Sequence, residues 1–209
     1  MARSFLRGRP AVVTIDLHRG HLDATCATMP LSADAAERVV ENNRRFLEAA
    51  RAAGLPVIHV VTRYRSAGEA LSNPFWASIA GTEASRGNVA HHQVEPTAGT
   101  ELMPGILDPD HDVVVDTKKR YDCFFGTDLG FVLDVAGVDT LLLSGVNTNS
   151  CVMTTAIVAS VRDYATVVVS DCVESMDGPE LHAAALQCIE RAFGWVMTSN
   201  EVLEAIGQA

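Results

Sequence analysis

The chain has 209 residues, with 26 acidic against 16 basic side chains and a formal charge of −10 at pH 7. That length fits one domain with a sizeable core, and 48% hydrophobic with 20% charged residues excludes disorder as a description of the whole. The negative balance disfavours nucleic acid and anionic membranes as partners. No stretch nears the 18 or so apolar residues of a membrane span, and the start, MARSFLRGRP, lacks the apolar run of a secretory signal, so a cytoplasmic location is expected.

In chain order, AVVTIDL (11–17) predicts a first strand, and residues 34–53 predict an amphipathic helix stopped by Gly54. PVIHVVT (56–62) predicts a second strand. Residues 63–111 then break the pattern: they are rich in Gly, Pro, Ser and Asn, hold the adjacent His91 and His92, and show only a weak helical stretch near 74–80. DVVVDT (112–117) predicts a third strand, followed by a helix over 127–136 that ends at Gly137. TLLLSG (140–145), a helix over 149–162, TVVVSDC (166–172), a helix over 180–193, WVMTS (195–199) and a last helix over 199–207 complete the series. The strand runs are nearly continuous Val, Ile and Leu, as strands buried on both faces should be. Alternation of this kind predicts a doubly wound, three-layer α/β/α fold with a six-stranded, mainly parallel sheet. The chain reads as a single domain over 1–209, with 63–111 as a long insertion that carries function.

Familiar cofactor motifs are missing. The first turn, DLHRGH, lacks the glycines of a dinucleotide site, and there is no phosphate-binding G-x-x-x-x-G-K-[ST], no G-x-S-x-G and no H-E-x-x-H, so no cofactor is expected. Five widely spaced cysteines without a C-x-x-C pair indicate neither a disulfide framework nor a zinc ribbon. In an open α/β sheet ligands gather beyond the carboxyl ends of the strands. Three of those ends carry reactive groups: Asp16, Lys118 and, through GVNTNS, Cys151. Singly, Asp16 reads as a helix cap or surface carboxylate, Lys118 as a solvated charge and Cys151 as a small buried hydrophobe. Cys151 also starts a helix, with Thr148 or Asn149 as the expected cap, where backbone N–H groups favour a thiolate.

GVNTNSCVMTTA (145–156), KKRYDCFFGTDL (118–129) and the strand closing on Asp16 together resemble the isochorismatase-like cysteine hydrolases. That family includes N-carbamoylsarcosine, ureidoacrylate and biuret amidohydrolases and the nicotinamidases, and the likeness runs from Ala11 to about Ile206. It implies the sheet order 3-2-1-4-5-6 and a catalytic triad of Asp16, Lys118 and Cys151, with Lys118 rather than Lys119 at the family's distance from Phe124. It implies hydrolysis of a C–N bond in a small amide or ureido compound through a thioester, with ammonia or an amine released. Vinyl-ether hydrolysis of an isochorismate-type substrate and a catalytically silent binding subunit are the alternatives. The resemblance also implies a non-proline cis peptide at Val146–Asn147, an oxyanion hole from the backbone N–H groups of Asn147 and Cys151, and a homo-oligomer, dimer or tetramer. The candidate substrate-binding residues are His18, Arg120, Phe124, Val146 and Asn147.

The chain also departs from the family. His18 stands where many members have Gln, and reads as a surface residue or a donor to substrate. HVVTRYRS (59–66) lacks the Asp-x-His pattern of the metal-binding nicotinamidases, so no metal is expected, and His91 and His92 read as loop-surface residues. Arg120 either holds a carboxylate or ureido oxygen or sits in an ion pair. Asp122–Cys123 replaces the usual Ser-Ala, and Cys123 reads as packing. Leu71, Phe75, Trp76, Ile79 and Val89 predict that 63–111 is covered, at a subunit contact or over the pocket.

Overall fold

The apolar runs pair as one sheet in the computed structural model, which describes residues 8–207. Its strands are β1 (Pro10–Ile15), β2 (Val57–Thr62), β3 (Val113–Lys118), β4 (Thr140–Val146), β5 (Ala165–Glu174) and β6 (Trp195–Met197). The order is β3-β2-β1-β4-β5-β6 and every pairing is parallel, so the expected order holds and the sheet is wholly parallel. Central β1 and β4 are buried along almost their whole length, whereas β3 lies at the edge and exposes Val113 and Val114. The helices are α1 (Arg19–Leu22), α2 (Ala33–Ala52), α3 (Ala67–Leu71), α4 (Pro74–Ile79), α5 (Leu129–Val135), α6 (Met153–Val161), α7 (Pro179–Ala192) and α8 (Ser199–Gly207).

Two apolar layers sandwich the sheet. Val39, Val40, Phe46 and Leu47 of α2 and Val202 of α8 pack against Val12, Leu142 and Val167 on one face. On the other, Leu129 and Leu133 of α5, Ala156 and Ala159 of α6 and Ile189 of α7 cover Val13, Ile58, Leu141 and Val168. Alternate strand residues thus feed opposite layers, which is why the central strands read as nearly unbroken apolar runs. Residues 63–112 build a third, small cluster from Tyr64, Ala70, Trp76 and Val89. Asn73 caps α4 by accepting the Trp76 N–H at 3.1 Å, with Pro74 in the first turn where its missing N–H costs nothing. The segment therefore covers most of its own apolar side chains, and Phe75 alone of the five named above stays largely exposed.

Gly145 sets how closely β1 and β4 approach. It has φ +106°, and a Cβ there would lie 2.0 Å from the Ile15 carbonyl oxygen. Only glycine satisfies both conditions beside the strand end that carries Asp16. Gly145→Ala should therefore lower stability by about 3 kcal/mol. Chemical denaturation checks this; an unchanged midpoint and slope would show that the two strands have room to separate.

Candidate active site

Asp16 is the first residue past β1. Its backbone has φ +53°, a left-handed conformation that Asp tolerates better than most residues. One carboxylate oxygen accepts the Thr62 N–H at 2.8 Å and the Thr62 hydroxyl at 2.9 Å, and the other accepts the Lys118 ammonium at 2.5 Å. Lys118 closes β3 and is 1% exposed. Its remaining donors go to the Thr62 hydroxyl oxygen at 2.7 Å and to the Cys151 sulfur at 3.3 Å, so all three ammonium hydrogens have partners.

A bulge aims that lysine. Val60 pairs with Val115, but Thr62 pairs with Lys118, so β3 spends one residue more than β2 over this stretch. Because strand side chains alternate between faces, the extra residue brings Lys118 level with Thr62 and onto its side of the sheet. Cys151 sits in a π-helical turn, Thr148–Val152, ahead of α6, and the Val152 N–H bonds the Asn147 carbonyl at 3.2 Å. The expected caps are otherwise engaged: the Thr148 hydroxyl pairs with His182 at 2.9 Å, and the Asn149 amide donates to Asp177 at 2.8 Å. The Val146–Asn147 peptide is cis.

Burial and charge decide the protonation states. Burial opposes ionisation of Asp16, but the Lys118 ammonium and His18 outweigh it and hold the carboxyl well below its usual range. Burial likewise opposes the Lys118 charge, and Asp16 with Cys151 more than restores it. For Cys151 burial wins over the pull of Lys118 and pushes the thiol up to about 11. The site therefore rests as carboxylate, ammonium and neutral thiol. The helix start that the sequence reading expected to favour a thiolate is outweighed here by the desolvation of the buried turn.

A pocket opens above these three groups, walled by Tyr64, Trp76, Arg86, Arg120, Tyr121 and Asn147 among others. Arg86 is neutralised by Asp177 at 2.7 Å. Arg120 lies over the Trp76 ring at 5.1 Å and donates to the Ser72 hydroxyl at 2.7 Å and the Lys119 carbonyl at 2.6 Å, with no carboxylate within ion-pair distance among the described residues. The ion-pair alternative for Arg120 therefore does not hold.

Of the other candidates, Asn147 faces the pocket, whereas Val146 is wholly buried in the core. Phe124 packs away from the pocket wall, stacked on Tyr164 at 5.9 Å beneath the Arg162 guanidinium. Cys123 is fully buried in the same layer. His18 is wholly buried rather than on the surface, with Nε2 3.6 Å from the Asp16 carboxylate. His92 is not a loop-surface residue: it is 6% exposed and pairs with the Thr28 hydroxyl at 2.8 Å, while His91 faces solvent. The residues that sequence reasoning missed are Thr62, His21, Tyr64 and Arg86. Thr62 ends β2, so the strand-end rule would have found it; the others carry no local signal.

A family model described as the isochorismatase domain matches residues 10–201. The chain is 32% identical over 182 residues to a ureidoacrylate amidohydrolase of Methylobacterium radiotolerans, covering 81% of this chain and 67% of that one. It is 28% identical over 198 residues to a maleamate amidohydrolase of Pseudomonas putida, covering 95% and 87% respectively. Solved structures with the same fold include a cysteine hydrolase of Pseudomonas syringae, with TM-score 0.83, 26% identity and coverage of 96% and 93%. An N-carbamoylsarcosine amidase of Thermoplasma acidophilum superposes with TM-score 0.73 at 26% identity, covering 92% and 98%. No helix among the described residues is long and apolar enough to cross a membrane.

The resting thiol is directly measurable. In a thiolate absorbance titration, the difference between the wild-type chain and Cys151→Ser should stay flat through the ordinary cysteine value of about 8.5 and rise toward about 11. A step below the ordinary value would mean that Cys151 rests ionised.

Proposed function

Because the chain belongs to the isochorismatase family, we propose that it is a cysteine-dependent amidohydrolase that cleaves the C–N bond of a small carboxamide or ureido acid. The observation that carries this reading is the buried Lys118 ammonium, which bridges the Asp16 carboxylate and the Cys151 sulfur beneath the pocket. As sulfur attacks the substrate carbonyl carbon, Asp16 takes the thiol proton. Lys118 stays charged and offsets the negative charge that develops on sulfur. The backbone N–H groups of Asn147 and Cys151 receive the tetrahedral oxyanion. Collapse breaks the C–N bond, Asp16 returns its proton to the departing nitrogen, and ammonia or an amine leaves a thioester. Asp16 then deprotonates a water that attacks the thioester, which releases the acid and restores the thiol.

Arg120 supports an acidic substrate, since it is the pocket cation whose charge no carboxylate offsets among the described residues. The relatives named for ureidoacrylate and maleamate act on amides that carry a carboxylate, which agrees with that wall.

Ammonia release from a panel of small carboxamides and ureido acids tests the reading. Cys151→Ala should reduce turnover of the best substrate by at least about a thousandfold with the fold intact. Near wild-type activity in that variant would end the thioester route and favour vinyl-ether chemistry. Lys118→Ala should cost far more than Lys119→Ala, whose ammonium bonds the Arg63 carbonyl outside the pocket; equal losses would place the catalytic amine elsewhere. Arg120→Ala should raise KM for acidic substrates about 10- to 100-fold with kcat little changed. A neutral carboxamide that matches the acid in kcat/KM would remove the argument for Arg120.

A further inference from the structure

Three buried histidines meet beside the pocket, and the reaction proposed above uses none of them. His18 comes from the turn after β1, His21 from α1 and His92 from the 63–112 segment, and they are 0%, 4% and 6% exposed. Ring centroids lie 5.0 Å apart for His18 and His21, 5.6 Å for His18 and His92, and 4.4 Å for His21 and His92. One ligand-type nitrogen from each ring lies within 4.8 Å of those of the other two.

Each ring is anchored at Nδ1, and the Nε2 of His21 also accepts from the Asn147 side-chain amide at 3.5 Å. The Nδ1 of His21 donates to the Met29 carbonyl at 2.6 Å, that of His92 pairs with the Thr28 hydroxyl at 2.8 Å, and that of His18 accepts from the Gln93 side-chain amide at 2.8 Å. A carbonyl partner fixes the proton of His21 on Nδ1, so its Nε2 carries a lone pair. The His18 Nε2 is buried and has no hydrogen-bond partner, its nearest polar approach being Asp16 at 3.6 Å. Buried polar atoms are ordinarily satisfied, so this one requires an explanation. His21 and His92 are tied through Nδ1 to a carbonyl and a hydroxyl, as metal-holding histidines are, and turning the Gln93 amide, whose Oε1 has no partner, lets the His18 Nδ1 donate to it and gives His18 a lone pair on Nε2.

We propose that His18, His21 and His92 form a binding site for a divalent, nitrogen-preferring cation of the zinc class, with its open position toward the substrate pocket. Three neutral imidazoles suit zinc, cobalt or nickel rather than magnesium or calcium. Zinc–nitrogen bonds of about 2.0–2.1 Å require the rings to close by roughly an ångström. His21 and His92 both line the pocket, so the remaining coordination position faces the space that substrate occupies. These residues lie outside the Asp-x-His position at which the sequence suggested no metal.

The untagged full chain, stripped with chelator and dialysed, is titrated with zinc chloride by calorimetry and with cobalt chloride by visible absorption. One equivalent should bind at micromolar concentration or tighter, with the cobalt spectrum of a nitrogen-ligated, low-coordinate ion. His18→Gln and His92→Ala should each weaken binding by at least about 10- to 100-fold, the range seen when even an outer partner of a metal ligand is lost. His91→Ala, one residue away and exposed, should bind as wild type does. Circular dichroism confirms folding, and the wild-type spectrum decides the matter even if a variant misfolds. Absence of saturable 1:1 binding, a cobalt–thiolate band, or binding that survives both histidine changes would overturn the proposal.

Discussion

Two opposite charges 2.5 Å apart, both shut away from water, set the conditions for the rest of this protein. Removing one member of such a buried pair leaves the other uncompensated and typically costs about 3–5 kcal/mol. Asp16 and Lys118 stand on strands that are not neighbours, so β2 must pass between them and end level with both. Thr62 meets that requirement with one hydroxyl, which donates to the carboxylate and accepts from the ammonium. The bulge in β3 and the left-handed turn at Asp16 are the backbone adjustments that bring the three groups together. Cys151 then needs only to arrive at the free side of the ammonium, which the turn after β4 accomplishes.

The same pair explains the electrostatics of the pocket. Lys118 is balanced by Asp16 and Arg86 by Asp177, so two of the three cations in the wall contribute little net field. Arg120 is held by stacking on Trp76 and by neutral acceptors, which fix its position without neutralising it. A chain with a formal charge of −10 thereby keeps one uncompensated positive group at the mouth of its site. Long-range attraction of anions is weak here, and any preference for an acidic ligand is made at contact.

Chemistry and shape come from different parts of the chain. The reactive groups lie at the ends of β1 and β3 and just beyond β4, on the most buried and rigid elements. Trp76, Arg86 and His92, by contrast, come from the 63–112 segment with its own small core. Changes within that segment can therefore reshape the wall without disturbing the Lys118–Asp16 pair.

The strands, the burial of the central ones on both faces and the positions of Asp16, Lys118 and Cys151 were legible in the sequence. Each depends on local pattern: an apolar run of β-branched residues, and a reactive side chain just beyond it. The sheet order followed from that alternation together with the motifs around Cys151 and Lys118. Burial of His18 and His92, withdrawal of Phe124 into the core, the pairing of Arg86 with Asp177 and the neutral state of the Cys151 thiol were decided only by the tertiary structure. Each depends on partners far away in the chain, as Arg86 meets Asp177 across 91 positions and His18 meets Gln93 across 75. Whether a polar side chain is solvated, paired or desolvated is a property of the space around it, and a linear sequence specifies that space only once it has folded.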